Sequence, residues 1–215
     1  MDERPKGELQ MSDREKVMSA VKAALNLLPE RKPLPEWDDL LPISNSIEGA
    51  DSPEKLEAVF KSELKAVNGK VVESIDELVA FLKSEKLTIG YVVPDWEEDL
   101  RDALSFAQID TIFDRKKVDD YQFGITEASA GIAETGTLVL KDSETPSRLA
   151  ALAPWVHIAI LRRSKLLPNV AHAVDQMGKD PSVVFVTGPS KTADIEGILI
   201  EGVHGPGTQI CLLVD

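Results

Sequence analysis

What most constrains this chain is an alternation of two hydrophobic periods that begins at Asp51 and runs to Phe113. Ser52-Pro53 offers a helix cap and a proline suited to the first helical position, and Leu56, Val59, Phe60, Leu64 and Val67 follow at helical spacing. Asn68-Gly69 closes that helix, and Val71-Val72 reads as a short strand. Ser74 and Glu77 have the spacing of a capping box ahead of Leu78, Phe81 and Leu82. Leu87 to Val93 then reads as a strand, Pro94-Asp95 opens a helix through Leu100, Ala103, Leu104 and Ala107, and Ile109 to Phe113 is the next strand. Helix and strand in turn predict an α/β domain built on an open, mostly parallel sheet flanked by helices.

The second half changes character, since nine of the thirteen glycines lie at or beyond Gly124, mostly where strands end. Thr137 to Leu140, Val156 to Leu161, Val183 to Val186 and Ile210 to Val214 are β-rich runs. The run VVFV is apolar at every position, as expected of a strand buried on both faces. Val170, Ala173, Val174 and Met177 form a helix face ended by Gly178, with His172 on the polar side. This domain is expected to span residues 50–215. Ahead of it, residues 1–49 hold a helix from Ser12 to Leu28, with Val17, Val21, Ala24, Leu25 and Leu28 on one face. Pro29, Pro33, Pro35 and Pro42 then exclude helix, leaving either an arm pinned by Trp37, Leu40 and Leu41 or a disordered leader.

Charge and cysteine content remove whole classes of function. The net charge is −13, and it is concentrated ahead of Gln122; residues 122–215 carry 7 basic and 10 acidic side chains. An acidic surface repels phosphate backbones, so neither nucleic acid nor an anionic membrane is an expected partner. No apolar run approaches the length of a membrane span, and the N-terminus MDERPKGELQ lacks the apolar core of a secretory signal, so the expected location is the cytoplasm. The single cysteine, Cys211, lies in an apolar run and cannot by itself ligate an iron–sulfur cluster. His157, His172 and His204 lack the spacing of a zinc site. No metal or cofactor is expected in this chain.

Open α/β sheets bind ligands beyond the carboxyl ends of their strands, and three segments have a composition suited to that. The first runs from Gly124-Ile125-Thr126-Glu127 to Glu134-Thr135-Gly136-Thr137, where Gly136 admits close backbone approach and the threonines supply hydroxyls. In the second, VVFV exits into Gly188-Pro189-Ser190-Lys191-Thr192, with Asp194 and Glu196 beyond. Lys191 offers one positive charge for a carboxylate or phosphate, or else pairs with Asp194 or Glu196 at a capped helix start. The third is Glu201 to Gly207, a constrained turn presenting His204 beside Gly205. A phosphate-binding Walker loop, a dinucleotide fingerprint and a hydrolase nucleophile elbow are all absent from the sequence.

In their order, the segments GITEASAGIAETGTLVL, PWVHIAIL and FVTGPSKTADIEGILIEGVHGP resemble the lactate-utilisation protein C family, the LUD domain. The match is densest over residues 124–206 and extends over roughly 50–215, with GPSKTADIE followed by GVHGP its most specific part. Lys191 stands where many relatives are expected to carry arginine, which keeps the charge but loses bidentate geometry. The resemblance implies a NagB/RpiA/CoA-transferase-like fold. It further implies a role beside iron–sulfur proteins in oxidising L-lactate to pyruvate.

Two functions follow as expectations. In one, the chain is a non-redox subunit that holds a small carboxylate or phosphate on its glycine-rich segments and docks iron–sulfur partners, which carry the clusters. In the other it is a stand-alone transferase or isomerase-like enzyme acting on an acyl-CoA or phosphorylated substrate. Glu134 would then be its catalytic carboxylate, Gly136 and Thr137 its oxyanion or phosphate donors and Lys191 the counter-charge.

Overall fold

The computed structural model describes residues 11–27, 52–92, 98–111, 114–145, 148–193 and 199–215. The chain divides into two compact units, residues 1–40 and 41–215. In the first, the described element is helix α1 (Asp13–Asn26). Ser12 and Glu15 close it with a reciprocal capping box, the Glu15 carboxylate accepting from Ser12 N–H at 2.7 Å and the Ser12 hydroxyl oxygen from Glu15 N–H at 3.3 Å. All of α1 is exposed, including the expected apolar face of Val17, Val21 and Leu25. The proline-rich arm and the expected boundary at 49/50 lie outside the described residues.

The second unit runs in chain order through α2 (Pro53–Ala66), β1 (Lys70–Val72), α3 (Ile75–Ser84), β2 (Ile89–Val92), α4 (Glu98–Phe106), β3 (Asp110–Thr111) and β4 (Phe123–Glu127). It continues with β5 (Ala130–Ile132), β6 (Thr137–Lys141), α5 (Arg148–Leu152), β7 (Val156–Arg162), β8 (Leu166–Leu167) and α6 (Val170–Met177). The last strands are β9 (Val183–Val186), β10 (Lys191–Ala193), β11 (Leu199–Glu201) and β12 (Thr208–Val214). Ser52 caps α2 with Pro53 in its first turn, as its sequence dictates. At α3, Ser74 accepts from Glu77 N–H at 3.1 Å, but the Glu77 carboxylate reaches past the cap to Glu73 N–H at 3.0 Å, so only half of the expected box forms.

Six strands form a wholly parallel sheet in the order β1-β12-β7-β4-β2-β3. The two-residue period sorts its side chains between two cores. Phe123, Ile125, Ile158, Ile160, Ile210 and Leu212 pack with Leu78, Leu82, Leu100 and Leu104 of α3 and α4. On the other face, Ala159, Leu161, Cys211 and Leu213 pack with Leu56, Phe60 and Leu64 of α2 and with Leu138 and Leu140 of β6. Full burial of each large aliphatic or aromatic side chain contributes roughly 1.5–3 kcal/mol, so both faces anchor the fold.

A second sheet, in the order β8-β5-β6-β9, covers that other face. Its β5–β6 and β6–β9 pairings are antiparallel, and β10–β11 is a separate antiparallel hairpin. Three expectations are corrected here. Gly124 to Glu127, a candidate ligand segment expected beyond a strand end, is itself part of a central strand. The VVFV run is an edge strand of the second sheet: Val184 and Val186 pack toward the first sheet, while Phe185, on the opposite face, is 42% exposed. Lys191 to Ala193 continue as strand β10 rather than opening a helix. Helix α6 buries only Ala173 of its expected apolar face, leaving Val170 and Val174 exposed.

Candidate functional site

Two of the three glycine-rich segments come together. Ser190 N–H donates to the Pro206 carbonyl at 2.8 Å, and Gly202 N–H donates to the Ser190 carbonyl at 2.9 Å, which ties the exit of β9 to the turn before β12. The indole of Trp155 packs against that turn at Gly202 and Gly207, where an added Cβ would lie 2.3 Å from the ring. Glycine at both positions is therefore what lets the turn close on the indole. With β9, Ala151 and Leu152 of α5, and Gln209, the segments Thr187–Ser190 and His204–Pro206 line a crevice of about 340 Å³.

Its position differs from the one expected for an open α/β sheet. Ala151 and Leu152 lead into β7, His204 to Pro206 lead into β12, and Gln209 is the second residue of β12. The crevice therefore borders the amino ends of two central parallel strands, and meets a carboxyl end only at β9. Its polarity also differs from an electropositive pocket, because among the described residues none in the lining carries a fixed positive charge. Hydroxyls of Thr187 and Ser190, the amide of Gln209 and the exposed imidazole of His204 supply the polar groups.

Of the residues expected at a site, Gly188, Pro189, Ser190, His204 and Gly205 line this crevice. Thr137 touches it indirectly: a hydroxyl chain runs from Thr135 to Thr137 at 2.7 Å and on to Thr187 at 2.8 Å. Gly136 (φ +61°) does permit close backbone approach, but the approaching backbone is that of α2, since an added Cβ would lie 2.2 Å from the Leu64 nitrogen. Gly188 likewise meets the Val67 carbonyl. Lys191 donates to that same carbonyl at 3.0 Å and stands 4.0 Å from the Glu201 carboxylate, so its charge serves the carboxyl end of α2, where a cation is favoured. The Glu134 carboxylate accepts from Val170 N–H at 3.4 Å, at the amino end of α6, which Asn169 also caps. Thr192 lies on β10 opposite Ile200. Asp194 and Glu196 lie outside the described residues.

Sequence reasoning passed over one constellation. Thr126, His157 and Gln209 are buried on β4, β7 and β12, on the face that carries Ala159 and Cys211. The Thr126 hydroxyl lies 2.8 Å from His157 Nε2, and His157 Nδ1 lies 2.7 Å from Gln209 Oε1. Burial pushes the imidazole down to about 4, so it is neutral at physiological pH, even though the Gln209 bond acts the other way. A signal was available: each is a polar residue inside a strand, at the parity of neighbours that face the second sheet. Cys211 lies on the same face, and burial pushes its thiol far up, leaving it unreactive.

A family model described as the LUD domain matches residues 57–214. The Lactate utilization protein C of Oceanobacillus iheyensis is 40% identical over 100 residues, 43% of each chain. That of Bacillus subtilis is 37% identical over 108 residues, 46% of this chain and 45% of its own. In these two matches the chain spans under half the length of its relative. The Lactate utilization protein C of Macrococcus caseolyticus is 28% identical over 208 residues, 87% of this chain and 89% of its own. Among solved structures, a DUF162 family protein from Deinococcus radiodurans superposes with a TM-score of 0.54 at 16% identity, over 76% of this chain and 99% of that one, which speaks to fold alone.

Proposed function

Because the chain belongs to the LUD domain family, we propose that it is a non-redox subunit supporting the oxidation of L-lactate to pyruvate beside iron–sulfur partners, with a small anion held in the crevice. The observation that carries this reading is the family match over residues 57–214, together with relatives named for lactate utilization. The crevice fits a small ligand, since about 340 Å³ is near the lower limit of ligand pockets, roughly 300–1,000 Å³. Its donors are hydroxyls and an amide, which suit an anion of single charge. The sole cysteine is enclosed in the core, so this reading assigns the clusters to the partners. We assign the assembly to the cytoplasm; no helix among the described residues is long and apolar enough to cross a membrane.

The test is reconstitution. Iron–sulfur partners with this chain present are expected to reduce a dye at the expense of L-lactate, and to lose that activity when the chain is omitted. An undiminished rate without it would overturn the proposal. Turnover of an acyl-CoA or a sugar phosphate by the chain alone, abolished in Glu134→Gln, would replace it with the stand-alone enzyme.

A further inference from the structure

Polar side chains rarely cross the middle of an apolar sheet face unless every bond they need is made. Thr126, His157 and Gln209 do so with at most 1% of their surfaces exposed. A single backbone acceptor sets the direction of all their bonds. The Ile210 carbonyl can only accept, so the Gln209 atom 3.0 Å from it is the amide nitrogen Nε2. Oε1 consequently faces His157 Nδ1, and because Oε1 also only accepts, Nδ1 carries the ring proton. His157 Nε2 is then bare and accepts from the Thr126 hydroxyl. The sequence of donors runs Thr126 to His157 to Gln209 to Ile210, with no charge in it.

The Gln209 amide nitrogen carries two hydrogens, of which the Ile210 carbonyl takes one, and Gln209 is part of the crevice lining. A ligand oxygen that accepted the second would spare a buried donor whose bond, left unmade, costs roughly 1–3 kcal/mol. We propose that Gln209 is the recognition residue of the crevice, giving that second hydrogen to a carboxylate oxygen of a small hydroxy or oxo acid, with His157 and Thr126 as positioning residues that hold the amide in this sense. The inference rests on the crevice being the ligand site. A monocarboxylate suits the lining better than a phosphate dianion, which needs compensating fixed charge that none of the described lining side chains provides. Ser190 and Thr187 hydroxyls are available to the second carboxylate oxygen or to the acid's own hydroxyl. Reversing the amide would point Oε1 at the ligand and repel it, an arrangement that the Ile210 carbonyl and the His157 Nδ1–H together oppose.

Calorimetric titration of the full chain with L-lactate, and separately with inorganic phosphate, tests this alongside ¹⁵N chemical shifts of the His157 ring. L-Lactate is expected to bind at least tenfold more tightly than phosphate, and His157 to show the Nδ1–H tautomer. Gln209→Glu should weaken L-lactate at least tenfold. Thr126→Val, which removes the hydroxyl donor, should weaken L-lactate severalfold and mix the ring tautomers, while Thr126→Ser restores both. Failure of the wild-type chain to bind L-lactate would overturn the crevice reading as well. Lactate binding that is unchanged in a folded Gln209→Glu variant would overturn this inference and leave the crevice reading standing. Should Gln209→Glu not fold, an Nε2–H tautomer in the wild-type chain overturns the inference by itself.

Discussion

Strands β7 and β9 are written in similar residues, VHIAILR and VVFV, yet β7 is buried from Val156 to Leu161 while β9 leaves Phe185 42% exposed. The difference is what covers their two faces. β7 lies between β12 and β4, with helices on one face and the second sheet on the other; β9 ends its sheet beside β6. An apolar run reports that a strand has a face to bury, not how many faces the fold will cover. The dry centre supplies stability, and the half-covered margin at β9 is where the crevice opens.

The sharpest way to break this comparison is to truncate a large apolar side chain in each region. Ile158→Ala or Leu212→Ala should cost about 2–5 kcal/mol in urea unfolding, since each leaves a cavity in a packed core. Phe185→Ala should cost less than about 1 kcal/mol because part of its surface is already in water. Equal losses would mean that β9 is covered after all.

Acid should distinguish the regions next. His157 has a folded value of about 4, below the ordinary histidine value of 6.5. Between these two values the unfolded chain binds a proton that the native chain refuses, so stability falls as pH drops through that window. The loss should approach about 3 kcal/mol by its lower end. Unfolding curves from pH 7 to pH 4 should show this slope, and His157→Gln should flatten it. An unchanged slope in the variant would show that His157 is not the group responsible.

Smaller effects are expected toward the margin. Gly136→Ala places a methyl group against the backbone of α2 at positive φ and should cost at least about 1 kcal/mol, read as a lowered urea midpoint. Asn169→Ala removes the cap of α6 and should cost about 1 kcal/mol, read as faster amide hydrogen exchange in Val170–Met177. Protection lost equally in β7 would show that α6 unfolds only with the whole domain.

Much of the parallel half was legible in the sequence, because its helices announce themselves with caps and period. Ser52-Pro53, Ser74 and the Leu78, Leu82, Leu100 and Leu104 stripe all behave as their spacing requires. The second sheet was not separable from the first, because β6, β7, β9 and β12 share a composition and only long-range pairing tells them apart. At the site, the turn of His204 and Gly205 and the exit of Gly188 to Ser190 meet through the Ser190–Pro206 hydrogen bond, while Gly136 packs on α2 instead. Lys191 and Glu134 carry charges that satisfy the ends of α2 and α6, partners no local pattern reveals. The row of Thr126, His157 and Gln209 joins residues up to 83 positions apart, and its members look unremarkable singly.

A crystal structure of the chain grown with L-lactate tests the central claim most directly, because a second opening, of about 460 Å³ between Lys61, Lys65, Lys70 and Phe81 beside β1, offers lysines that the described lining of the crevice does not. The account predicts lactate density between Gln209, Ser190 and His204, with a carboxylate oxygen within hydrogen-bond reach of Gln209 Nε2. Lactate seated among the lysines beside β1, with the crevice empty, would contradict it.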